Sequence, residues 1–130
     1  MSTLNRAIEI ATNAHDGATD KYGAPYINHV TRVMNLGETD NEKIVGVLHD
    51  VIEDTKTTWQ DLQDIGCTAR VIAGVRVLTK MPGQTYDEYK NEVFANLDAM
   101  KVKSCDLRHN TDIRRLKGVT QKDIDRIAKY

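Results

Sequence analysis

The chain has 130 residues, a formal net charge of −1 and 40% hydrophobic residues. That length supports one buried core with little room for a second, so one domain over 1–130 is expected. The near-neutral balance provides no basic field to recruit nucleic acid or a membrane surface, and no apolar run approaches the length of a membrane span. The segment Met1 to Ile10 holds Arg6 and Glu9, unlike a secretory leader. Cys67 and Cys105 are the two cysteines, without metal-type spacing. They read as small core residues of a reduced, cytoplasmic protein.

The periodicity predicts helices in series. Ser2 or Thr3 caps a first helix to about His15, with Ala7, Ile8, Ile10, Ala11 and Ala14 on its apolar side, and Gly17 ends it. Asp20 to Pro25 is a loop, since proline disfavours helical geometry at Ala24. A helix follows from about Ile27 to Leu36 with His29 near its start, closed by Gly37. Asp40 caps the next helix, Thr57 with Gln60 forms a capping box for a short one, and Gly66 stops it. Thr68 caps a helix bearing Val71, Ile72, Val75 and Leu78. Thr85 with Glu88 forms a second capping box and opens a helix with Tyr89, Val93 and Phe94. A long helix from about Leu97 to Ile113 and a last one from Thr120 to near Lys129 complete the chain. No strand-like alternation occurs, so the expected fold is all-α, a bundle of about seven helices.

One stretch concentrates chemistry. In Leu48-His49-Asp50-Val51-Ile52-Glu53-Asp54-Thr55 the residues Ile44, Val47, Leu48 and Val51 make a core-facing stripe. His49, Asp50, Glu53 and Asp54 fall on the other side, each pair four apart stacked one turn above the other. Three carboxylates crowded around an imidazole repel one another unless a positive charge sits among them, and a divalent cation is the simplest such charge. His29, His49, Asp50 and Asp106 form a two-histidine, two-aspartate set that leaves positions open for water and substrate. Asn110, one turn beyond Asp106, orients a ligand or binds substrate. His15 stands at a helix C-terminus, where a partly charged imidazole is favoured anyway, and is left out of the set.

Four motifs in order carry a resemblance: Ala14-His15-Asp16-Gly17, Gly23-Ala24-Pro25-Tyr26-Ile27-Asn28-His29, the octapeptide from Leu48, and Cys105-Asp106-Leu107-Arg108-His109-Asn110. The chain resembles the HD-domain superfamily, and within it the hydrolase domain of RelA/SpoT-type (p)ppGpp hydrolases and their small stand-alone relatives. The resemblance implies a metal-dependent phosphohydrolase with His29, His49, Asp50 and Asp106 as ligands, usually of Mn²⁺. It implies that Glu53 and Asp54 handle the attacking water and that Asn110 meets the nucleoside. Ligand types by themselves admit Zn²⁺ or Fe²⁺ as well as Mn²⁺. Lys21, Lys56 and Arg108 are candidates to neutralise phosphates. Departures from the family pattern are Asp20 where a basic residue usually stands, Val30 where a proline often follows the histidine, and Asp112 for a common arginine. Reversed charge at Asp20 and Asp112 predicts weak affinity for ppGpp. A nucleoside monophosphate, a dinucleotide phosphate or a cyclic nucleotide is then the alternative substrate, and a catalytically weak nucleotide-binding protein a third reading.

Overall fold

The computed structural model describes residues 2–20 and 22–117, with side chains as far as 110. Lys21 and the helix expected over Thr120 to Lys129 lie outside the described residues. Among these residues there are eight helical segments: α1 Thr3–Ala14, α2 Tyr26–Leu36, α3 Asp40–Leu48, α4 Val51–Asp54, α5 Trp59–Asp64, α6 Ala69–Leu78, α7 Tyr86–Phe94 and α8 Leu97–Lys117. The single β-bridge found there, Thr19 with Pro25, closes the loop before α2. The all-α expectation holds. No described helix is long and apolar enough to cross a membrane.

Helix starts follow local hydrogen bonding. Ser2, Thr68 and Thr85 accept a backbone N–H from the first turns of α1, α6 and α7, and Glu88 completes the box on α7. Two expected caps are displaced by one residue. Thr39, not Asp40, caps α3 by accepting from the Glu42 N–H. Thr58 with Asp61, not Thr57 with Gln60, boxes α5. Thr57 is unavailable because its N–H and hydroxyl both engage the Thr55 hydroxyl.

The helix expected to run through the acidic octapeptide is broken. α3 ends at Leu48, His49 and Asp50 form a turn, and α4 is one turn of four residues. The Asp54 N–H still reaches the Asp50 carbonyl at 3.0 Å, so the stacking of Asp50 over Asp54 survives the break.

α3 is the central rod, packed against α1, α2, α6 and α8. Its Val45, Val47 and Leu48 are fully buried, and Ile44 nearly so. They meet Ala7 and Ala11 of α1, Val30 and Val33 of α2, Val71 and Val75 of α6, and Ala99 and Val102 of α8 in one core. Phe94 is 58% exposed while its neighbour Val93 is buried. One residue is about 100° of helix rotation, enough to carry Phe94 off the inner face.

Candidate active site

Three helices converge because two of them pack without side chains between. A Cβ placed on Gly46 of α3 would stand 3.3 Å from the Met34 Cα and 3.4 Å from the Met34 N of α2. A side chain there would require the α2 backbone to give by a few tenths of an ångström. The close approach of the two helices sets the His29 ring, in the first turn of α2, 5.6 Å from the His49 ring at the end of α3. Gly46→Val is therefore expected to force the helices apart and destabilise the fold by about 1–3 kcal/mol. Thermal unfolding checks this, and divalent-metal affinity should fall with it.

At this junction the polar groups are buried: His29 and His49 are each 5% exposed and Asp106 is 8% exposed. The ligand-type atoms of His29, His49 and Asp50 all lie within 4.8 Å of one another. Asp106, from α8, joins them with Oδ1 at 2.7 Å from His29 Nε2 and 3.5 Å from His49 Nε2. Asp50 Oδ2 lies 3.0 Å from His49 Nε2.

The state of His49 shows what this arrangement lacks. Its Nδ1 points at the Gly46 carbonyl, an acceptor only, so Nδ1 carries the proton. In the neutral ring Nε2 then presents a lone pair. That buried atom makes no hydrogen bond, yet it faces the Asp50 and Asp106 carboxylates. Burial pushes His49 toward neutrality, but the two carboxylates outweigh it and draw the ring strongly toward protonation. Asp106 shows the converse: burial would raise its pKa, and the imidazoles of His29 and His49 beside it, with Lys103, hold it well below the usual carboxylate range. A lone pair among carboxylate oxygens calls for a positive centre, and the donor set of two imidazoles and two carboxylates fits a divalent cation.

Further groups brace the set. The Tyr26 hydroxyl donates to Asp50 Oδ2. Lys103 Nζ lies 3.4 Å from Asp106 Oδ2, while Asn110 Nδ2 donates to Asp106 Oδ1 at 3.4 Å. His109 Nδ1 lies 2.7 Å from His29 Nδ1. Each stands three residues from a member of the set or, for Asn110, four. One-turn spacing from His29 or Asp106 is the sequence signal that marks Tyr26, Lys103 and His109.

Glu53 and Asp54 stand at the mouth of the cluster, both exposed. Partial burial and then the Asp50 charge raise the pKa of each above the ordinary value. Asp54, Lys56, Thr55 and Asn13 line an open cavity of about 690 Å³ against α1. Arg108 is exposed and two residues beyond Asp106, about 200° round α8, so it points away from the cluster. Lys21 lies outside the described residues, as does the side chain of Asp112. Asp20 has a local duty: its Oδ1 accepts from the N–H of Tyr22 at 2.8 Å and of Ala24 at 3.1 Å. That carboxylate closes its own loop, as an Asx turn does. His15, expected to be partly charged, is instead 2% exposed against the Tyr26 ring. Its burial, opposed by Asp50 and Asp54, keeps its pKa below the ordinary histidine value.

No protein-family profile matches the chain. Over 103 residues it is 33% identical to the bifunctional (p)ppGpp synthase/hydrolase SpoT of Escherichia coli, covering 75% of this chain and 15% of that protein. It is 32% identical over 134 residues to a guanosine-3′,5′-bis(diphosphate) 3′-pyrophosphohydrolase of Haemophilus influenzae, covering 92% of the chain and 20% of the relative. The zebrafish pyrophosphohydrolase MESH1 is 37% identical over 83 residues, covering 58% and 45% of the two chains. The chain thus spans less than half the length of these curated relatives. Among solved structures, a metazoan SpoT ortholog described as hydrolysing ppGpp superposes with a TM-score of 0.73 at 22% identity, over 99% of this chain and 83% of that one. That likeness shows the fold.

Proposed function

We propose that this chain, a relative of the guanosine-3′,5′-bis(diphosphate) 3′-pyrophosphohydrolases that resembles the RelA/SpoT-type hydrolase domain, is itself a metal-dependent (p)ppGpp 3′-pyrophosphohydrolase. The observation that carries this reading is the buried His49 Nε2, without a hydrogen bond and facing the carboxylates of Asp50 and Asp106. His29, His49, Asp50 and Asp106 would hold the cation. We take it to be Mn²⁺, which the carboxylates and the open positions favour over Zn²⁺ or Fe²⁺.

A divalent cation held there supplies Lewis acidity at the phosphoryl group and neutralises developing charge. The remaining work belongs to the chain. Glu53 accepts a proton from the attacking water. Asp54, one residue on and exposed beside it, orients that water. Asn110 and Lys103 hold the two oxygens of Asp106, and Tyr26 holds one oxygen of Asp50. The net reaction adds water across the 3′ phosphate ester: the 3′-oxygen takes a proton and pyrophosphate leaves. Lys21 and Lys56 remain the candidates for the outer phosphates, and Arg108, turned away from the cluster, does not. The substrate is a small nucleotide, and the free cysteines Cys67 and Cys105 suit action in the cytoplasm.

Purified protein with Mn²⁺ is expected to release pyrophosphate from ppGpp, leaving GDP, and to lose this activity on chelation. Incubation with ppGpp beside a nucleoside monophosphate, a dinucleotide phosphate and a cyclic nucleotide decides it. Hydrolysis of one of the others with ppGpp untouched would overturn the assigned substrate and leave the metal centre standing.

A further inference from the structure

We infer that His109 is the positioning residue of the metal centre: its Nδ1 accepts the Nδ1–H of His29 and so fixes the tautomer in which His29 Nε2 faces the cation. This rests on the reading of His29, His49, Asp50 and Asp106 as ligands. The two Nδ1 atoms are 2.7 Å apart. The ring planes differ by 17° with centroids 5.0 Å apart. That is an edge-to-edge contact, along the direction in which an imidazole N–H points.

Two ring nitrogens at that distance share one proton, so one donates and the other accepts. A His29 that offers its Nε2 lone pair to a cation keeps its proton on Nδ1. His109 Nδ1 is then the acceptor, and in its neutral ring the proton sits on Nε2. The two ligand histidines are thus anchored differently. His49 is fixed by a main-chain carbonyl, that of Gly46, which no substitution of a side chain removes. His29 is fixed by a side chain from another helix, α8, which also brings Asp106. One helix therefore supplies both a ligand and the group that orients a second ligand. In its absence His29 is free to turn its N–H toward Asp106 Oδ1, 2.7 Å away, and so to occupy the lone pair the cation needs. Partners that orient a ligand in this way typically contribute about 10–100-fold in metal affinity.

The test is the pair His109→Leu and His109→Asn. The two replacements have nearly the same shape, but only asparagine places an acceptor where Nδ1 stood. Mn²⁺ binding is measured by titration, and the visible spectrum of the Co²⁺-loaded protein reports the ligand field. Mn²⁺ affinity should fall about 10–100-fold in His109→Leu and stay near wild type in His109→Asn, whose Co²⁺ spectrum should match wild type. Equal losses in both, or no loss in either, would overturn the inference. Should His109→Leu not fold, ¹⁵N spectra of the Zn²⁺-loaded wild type decide. Protonated Nδ1 on His29 with unprotonated Nδ1 on His109 is the expected pattern, and the reverse overturns it. A wild type that binds no divalent metal would instead overturn the ligand reading itself.

Discussion

Glu53→Gln is expected to lower turnover by about 10²–10⁴-fold, the usual contribution of a positioned general base, while divalent-metal content stays at the wild-type level. Glutamine keeps the size of the side chain and its capacity to accept a backbone hydrogen bond, as Glu53 does from Lys80. It cannot take a proton. The prediction separates chemistry from metal binding because Glu53 stands exposed at the mouth of the cluster, whereas His29, His49 and Asp106 are buried in it. Single-turnover kinetics with matched metal analysis is the measurement. A loss of only a few-fold would make Glu53 a structural carboxylate, and Asp54→Asn would then be expected to carry the large effect.

His49→Ala is expected to abolish stoichiometric metal binding and, with it, turnover. On the proposed reading the imidazole would offer Nε2 to the cation; it also separates Asp50 from Asp106 and ties its own Nδ1 to the Gly46 carbonyl. Without it the two carboxylates face each other across a buried gap. A ligand that binds only the folded state at about 100 times its dissociation constant stabilises that state by about 2.7 kcal/mol. Added Mn²⁺ should therefore raise the unfolding temperature of the wild type and leave that of His49→Ala unmoved. Equal metal content in protein of both kinds purified without chelator would remove His49 from the ligand set.

His29, His49, Asp50 and Asp106 stood out in the sequence by residue type, and the structure gathers all four positions at one junction. Asp20 has a local duty that its residue type did not announce. Its Oδ1 accepts from the Tyr22 and Ala24 N–H groups, so Asp20→Arg would disrupt the loop as well as change its charge.

The sequence by itself determined the helical class, the apolar stripe of Ile44, Val47, Leu48 and Val51, and the caps at Ser2, Thr68 and Thr85. Each depends on contacts within one turn, where spacing in the chain and distance in space are nearly the same thing. Tertiary structure alone decided the break after Leu48, the exposure of Phe94, and the contacts of Tyr26 with Asp50 and of His109 with His29. Those contacts join residues 24 and 80 positions apart, and Gly46 lets α2 lie close against the α3 backbone. A helix pattern records which face is apolar, but not how closely two such faces meet, and the site is made by that closeness.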